Sequence, residues 1–279
     1  MNKITDLKEL KRKAIDLRRD ILTMLNKAGS GHTGGSLSTV EILTTLYYTQ
    51  MNLDPADPRA KDRDKFILSK GHGCPALYAV LSDRGFFPKE ELLTLRQLGS
   101  RLQGHPQLGL PGLEASSGSL GQGLSIANGM AIGDRMDGVD ARVYCLMGDG
   151  ETNEGQVWEA AMTASHYKLD NLTAIIDCNK LQIDGLCCEV QDLGEHSKKW
   201  EDFGWYTIEV EGHDIEQLRK AFEEAKQLKG KPQMIVAHTI KGCGVSFIEN
   251  KVEWHGIAPK DDELAKALAE LDEAEKMIQ

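Results

Sequence analysis

Short apolar runs alternating with helical patterns constrain this chain more than any other feature. FILS at 66–69, VYCLM at 143–147, LTAIID at 172–177, WYTIEV at 205–210 and MIVAHT at 234–239 have strand length and are bounded by turn residues or charge. Between them Val157, Ala160, Ala161 and Ala164, then Ile215, Leu218, Phe222 and Ala225, recur at three- and four-residue spacing, the period of one helix face. Strand, helix and strand in succession make the βαβ unit, whose parallel strands need helices over both faces. The expected fold class is therefore α/β: a doubly wound, mainly parallel sheet with helices on both faces, one domain over 1–279. Leu7, Leu10, Ala14, Leu17, Ile21, Leu25 and Ala28 predict an amphipathic N-terminal helical arm over 1–28, stopped by Gly29. Residues 261–279 are helix-forming and heavily charged, which suits a C-terminal helix or linker.

Charge and cysteine usage exclude several function classes. With 43 acidic against 33 basic residues the formal charge is −10, so neither nucleic acid nor an anionic membrane is an expected partner. No apolar run approaches the ~20 residues that span a bilayer. The first twenty residues carry charges where a signal peptide needs an apolar segment, so the expected location is cytoplasmic. The six cysteines lack the CxxC spacing of a metal site and the density of a disulfide scaffold, so reduced thiols are expected. The adjacent Cys187 and Cys188 have no His or Cys at ligand spacing and read as incidental loop thiols.

Ligands of open α/β sheets gather at the carboxyl ends of the strands, and two strands here end in oxygen-bearing residues. VYCLM exits through Gly148, Asp149 and Gly150; LTAIID exits through Asn179, thirty positions after Asp149 (179 − 149). The glycines allow close approach of a ligand, while Asp149 and Asn179 offer hard oxygens to a cation such as Mg²⁺. Mg²⁺ commonly completes its octahedron with water and phosphate, and SSGSLGQG at 116–123, just before a helix at Leu124, offers a backbone-amide nest for one. Four histidines lie in glycine-containing loops that draw attention: His32 in GSGHTGG, His72 in SKGHGCP, His105 in LQGHPQL and His255 in VEWHGIA. No two share metal-ligand spacing, and imidazoles that a ligand can approach suit proton exchange near neutral pH. GSGHTG at 29–34 matches GxGxxG but follows a helix, so it fails the dinucleotide test, and no P-loop is present.

GDG followed by a strand-ending Asn, together with SGH, SKGH, GHP, GSLGQG and WHG in that order, resembles the thiamine-diphosphate-dependent transketolase family over nearly the whole chain. The resemblance is to the amino-terminal, diphosphate-binding third of a full-length transketolase. It implies thiamine diphosphate and Mg²⁺ (or Ca²⁺ or Mn²⁺) as cofactors, the metal held by Asp149, Asn179 and the Leu181 carbonyl. It implies that Lys70, His72, Gly118, Ser119, Leu120, Gly148, Asp149, Gly150, Glu154, Asn179 and Lys241 bind or flank the cofactor. Glu154 and Glu159, with apolar surface around Trp158, would face a subunit interface. His32, His72, His105 and His255 would line the substrate channel and shuttle protons, while His213 in EGHD is left structural. Thr33 and Cys178 depart from the family pattern without removing a ligand.

The implied activity is transketolase: transfer of a two-carbon ketol unit from a ketose phosphate to an aldose, in pentose phosphate metabolism. In that family the aminopyrimidine is activated by a glutamate from a separate domain. The implied partner is thus a C-terminal transketolase subunit carrying the pyrimidine-binding and C-terminal domains, in a heterotetramer, with sugar phosphates as substrates. The α subunit of a 2-oxo-acid dehydrogenase first component, a deoxyxylulose-phosphate synthase and a non-catalytic scaffold paralogue share parts of the signature. The histidine loops argue against the first.

Overall fold

A computed structural model describes residues 3–183 and 185–278. In chain order its strands are β1 (Lys65–Leu68), β2 (Val143–Gly148), β3 (Leu172–Cys178), the two-residue β4 (Leu181–Gln182) and β5 (Gly185–Leu186), β6 (Tyr206–Glu211) and β7 (Gln233–His238). Five of them form one parallel sheet in the order β1-β2-β3-β7-β6, and β4 and β5 pair as an antiparallel hairpin. The helices are α1 (Leu7–Ala28), α2 (Thr33–Leu37), α3 (Val40–Thr45), α4 (Cys74–Asp83), α5 (Gly123–Met136), α6 (Gly155–His166), the short α7 (Cys187–Val190) and α8 (His196–Asp202), α9 (Ile215–Gln227) and α10 (Asp261–Lys276). Each of the five expected strands falls within a residue or so of its apolar run.

Strand side chains alternate between two cores. Phe66, Tyr144, Leu146, Ile175 and Ile235 face one, with α1, α3, α4 and α9; Ile67, Cys145, Met147, Ile176 and Val236 face the other, with α5, α6 and Trp200 of α8. Every residue of β3 is buried, as a strand covered on both faces requires. The edge strand β6 instead turns Glu209 and Glu211 outward, where charge discourages further pairing. After β3 the chain passes to the far edge through α8 and returns to β7 through α9. Right-handed crossovers in opposite directions place those helices on opposite faces.

The N-terminal arm forms as its period demands. The Asp6 side chain accepts from the Lys8 amide at 3.1 Å, and Gly29 closes the helix at φ +65°, a conformation that favours glycine. Its inner face packs on α4 and α3, and α10 docks beside it: Ala267 and Leu271 are buried, and Arg19 reaches Asp272 and Glu275 at 2.7 and 2.6 Å. The closing segment is a docked helix and not a free linker. Among the described residues no helix is long and apolar enough to cross a membrane.

Candidate active site

Parallel register brings the predicted oxygens together. Gly148, the last residue of β2, pairs with Asp177 of β3, so Asp149 and Asn179 leave adjacent strands at one edge. The two oxygens of Asp149 accept the Gly150 amide at 2.8 Å and the Lys180 amide, and the Cys187 thiol lies beside the same carboxylate. Asn179 donates from Nδ2 to Asp177 at 3.1 Å and accepts the Leu181 amide on Oδ1 at 3.2 Å. Burial, then the charge of neighbouring Asp177, pushes the Asp149 carboxyl up to about 6. Lys70 lowers it only weakly from a distance, and among the described residues Asp149 makes no ion pair.

Asp177 itself is fully buried and accepts from Lys70, from Ser38 at 2.7 Å, from Asn179 and from Thr239. Against the cost of burial, the Lys70 ammonium and these donors hold it below the usual carboxylate range. Lys70 also donates to the Gly35 carbonyl at 2.9 Å, and Lys241 Nζ lies 3.4 Å from the Leu181 carbonyl. Burial, then the charge of Lys70, lowers Lys241 to about 8.

The four loop histidines, more than two hundred positions apart at the extremes, converge (255 − 32). The ring centroid of His32 lies 5.2 Å from that of His72, 6.2 Å from His105 and 5.5 Å from His255; His72 and His255 are 5.4 Å apart. Burial first, then cations including Arg96, Lys70 and Lys241, depresses all four: His32 and His255 fall to about 4, and His72 and His105 are lowered too. At pH 7 they are neutral imidazoles, each offering one donor and one acceptor.

These groups share one cavity of about 240 Å³. It holds the four histidines, Lys70, Gly118, Leu120, Gly148, Asp149, Gly150, Asn179, Leu181 and Lys241. Ser119 and Glu154 are not in it. Ser119 lines a shallow depression beside Gln122, and Glu154 is exposed with its Cβ against Gly121, so neither borders the Asp149 side. Trp158 is partly exposed, its ring tilted against Trp200 and Phe203 with centroids 5.1 and 5.0 Å away.

The expected amide nest is largely closed by the protein. Gly121 donates to Glu151 at 2.8 Å and Gly123 to Ser69 at 3.1 Å, while Ser69 donates to Glu151 and Gly148 donates to its other oxygen at 3.0 Å. A Cβ on Gly123 would sit 2.4 Å from Ser69, so glycine is what lets the end of β1 meet the start of α5. The cavity therefore takes only Gly118 and Leu120 from this loop. Asp177, Glu151 and Arg96 were missed in the sequence. The two carboxylates stand at ordinary turn and strand positions, and Arg96, at φ +59° with its guanidinium close against Gly104, carries no motif.

Two buried polar atoms of the lining, Nδ1 of His32 and Nε2 of Gln182, have no partner among the described residues. Orphaned atoms beside an uncompensated carboxylate fit a polar ligand with a metal at one end, and hard oxygens at Asp149, Asn179 and Leu181 suit Mg²⁺ or Ca²⁺. Fold and cavity together define the class: an α/β domain with a candidate ligand site at the carboxyl edge of a parallel sheet.

Comparisons with known proteins agree. Residues 10–275 match the family described as transketolase, thiamine diphosphate binding domain. The 6-deoxy-6-sulfo-D-fructose transketolase subunit SqwG of Clostridium sp. (strain MSTE9) is 44% identical over 265 residues, 95% of this chain and 96% of that one. An apulose-4-phosphate transketolase subunit of Actinobacillus succinogenes is 45% identical over 265 residues, 94% of this chain and 96% of its own. The solved transketolase of Campylobacter jejuni superposes with a TM-score of 0.91 at 32% identity, covering 96% of this chain and 43% of that one. The chain spans less than half the length of that solved enzyme. It belongs to the transketolase family of transferases, as a subunit built on the thiamine diphosphate-binding domain.

Proposed function

We propose that the chain is the N-terminal subunit of a split transketolase that binds thiamine diphosphate through Mg²⁺ and acts with a separate C-terminal subunit. The observation that carries this reading is the convergence of four neutral imidazoles on one cavity with Asp149, Asn179 and Leu181. The cavity, about 240 Å³, lies below the ~300–1,000 Å³ usual for sites that bury a ligand of that size, which supports completion by another chain. The subunit names of the relatives support the same assembly, and we read the complex as a heterotetramer.

When bound, thiamine diphosphate supplies a carbon nucleophile for ketol transfer. The chain's own part is to bind, orient and move protons. Asp149, Asn179 and the Leu181 carbonyl hold the metal; Lys70 and Lys241 compensate diphosphate charge; Gly118, Leu120 and Gly150 allow close approach. His32, His72, His105 and His255, kept neutral by burial, accept and donate hydrogen bonds at sugar hydroxyls and carry a proton between them. The substrate is a ketose with an anionic end. The relatives' names include a sulfonated fructose and apulose 4-phosphate, so the sugar need not belong to the pentose phosphate series.

The test assays the purified chain with thiamine diphosphate and Mg²⁺, alone and with a candidate C-terminal subunit, against phosphorylated and sulfonated ketoses. Transfer only in the mixture is expected. Full turnover by the lone chain overturns the split site, and cofactor binding without transfer from any ketose overturns the transketolase reading in favour of a scaffold.

A further inference from the structure

His213 lies outside the cavity, in the turn between β6 and α9, yet its contacts run towards it. Arg18 of α1 grips the Glu41 carboxylate of α3 with two hydrogen bonds, 2.6 and 2.9 Å, and both side chains are buried. The second Glu41 oxygen meets His213 Nδ1 at 2.8 Å, and the Ile240 amide donates to His213 Nε2 at 2.7 Å. Arg18 Nε closes the group by donating to the Cys243 carbonyl at 2.9 Å.

Glu41, His213 and Cys243 place ligand atoms within 4.8 Å of one another, close enough to suggest a metal site. Two contacts exclude that reading. The guanidinium of Arg18 already neutralises Glu41, and both ring nitrogens of His213 are committed. Against the cost of burial, Cys243 and then Glu41 draw the imidazole towards its charged form, but a proton on Nε2 would face the Ile240 hydrogen across 2.7 Å. The arrangement holds only for the neutral ring protonated on Nδ1, with Glu41 selecting that tautomer.

Ile240 stands where β7 has ended and its amide has no strand partner. The next residue is Lys241. On the inner side three residues of the same loop bond towards the site: Thr239 Oγ1 to Asp177, Gly242 N to the Gly34 carbonyl at 3.0 Å, and Lys241 Nζ to His255 Nδ1 at 2.8 Å. Gly244 lies so close to Arg18 that a Cβ there would come within 2.6 Å of Nε. The loop is thus gripped from outside by Arg18 and His213 and presents Lys241 inward.

We infer that His213 is a positioning residue: oriented by Arg18 and Glu41, it fixes the Ile240 amide and so aims the Lys241 ammonium at His255 and the Leu181 carbonyl. The functional importance of that aim rests on the transketolase reading; the mechanical link does not. The link is therefore tested in the isolated chain without cofactor.

His213→Gln places an amide oxygen near the position of Nε2 and keeps the Ile240 bond. His213→Asn reaches only the Nδ1 position, keeps Glu41 satisfied and loses Ile240. Amine acylation by acetic anhydride, read residue by residue by mass spectrometry, reports Lys241, with the equally buried Lys70 as internal control. In His213→Asn, Lys241 labelling and Ile240 amide exchange should both rise about tenfold, the factor for one ordinary buried hydrogen bond, with Lys70 unchanged. His213→Gln should match wild type on both. Equal labelling of Lys241 in the two folded variants overturns the inference, as does a proton on Nε2 of wild-type His213 at pH 7 in long-range ¹H–¹⁵N correlation. Ketol transfer enters neither readout, so loss of the transketolase reading would leave the comparison intact.

Discussion

Asp149→Asn separates what the site costs the fold from what it does for the ligand. The carboxyl is 4% exposed, and burial followed by the charge of Asp177 lifts it from 3.8 to about 6. That rise corresponds to about 3 kcal/mol of penalty on the charged form. Because the folded value lies above the unfolded one, the penalty is absent below pH 4 and grows as pH rises to 6. At pH 7 the ligand-free wild type carries all of it. An amide carries no charge but accepts at one atom instead of two, so either Gly150 or Lys180 loses its partner at about 1–2 kcal/mol. The ligand-free variant is therefore expected to be more stable at pH 7 by about 1–2 kcal/mol, or about 2–8 °C in Tm for a chain of this size. At pH 4 the advantage should disappear. Conversely, the rise in Tm that thiamine diphosphate and Mg²⁺ give the wild type should vanish in the variant, since a ligand stabilises only what it binds. Scanning calorimetry at pH 4 and pH 7, with and without both, measures all four quantities. A folded variant less stable than wild type at pH 7, or one whose Tm still climbs with cofactor, would refute the reasoning.

Arg18→Met leaves Glu41 buried with only His213 as partner and should cost about 3–5 kcal/mol in urea unfolding at pH 7. Against burial, Arg18 holds Glu41 down to about 2, so the stability this pair contributes is present above pH 4.5 and lost as pH falls towards 2; the variant should lack that loss. The ring protons of His32 and His255 should titrate by NMR near pH 4 and not near 6.5, and the stability their neutral forms confer should be complete above 6.5 and fade as pH falls to 4. His105→Ala, assayed with the partner subunit, should lower kcat about 10²–10⁴-fold while thiamine diphosphate affinity changes far less, and wild-type turnover would place that histidine outside the chemistry.

What the sequence alone determined is whatever is written in local period and backbone permissiveness. Apolar runs of strand length, helix faces at three- and four-residue spacing and Gly29 after the arm located the sheet and α1, because each depends on neighbours a few positions away. The Asp149-to-Asn179 spacing placed two oxygens at one edge, since a single βαβ crossover brings successive parallel strands side by side. Glycine beside histidine marked the four imidazoles of the cavity, and also His213, which lies outside it. Tertiary structure alone decided which groups the site spends internally. Lys70 and Asp177 are 107 positions apart, Gly121 and Glu151 are 30, and Glu41 and His213 are 172. Their residue types are those of any solvated loop or helix, and only burial makes pairing obligatory. For the same reason a glycine-rich loop that reads as an open phosphate nest turns out to be held shut by Ser69 and Glu151. A histidine that reads as structural proves to be the outer end of a chain of hydrogen bonds reaching Lys241.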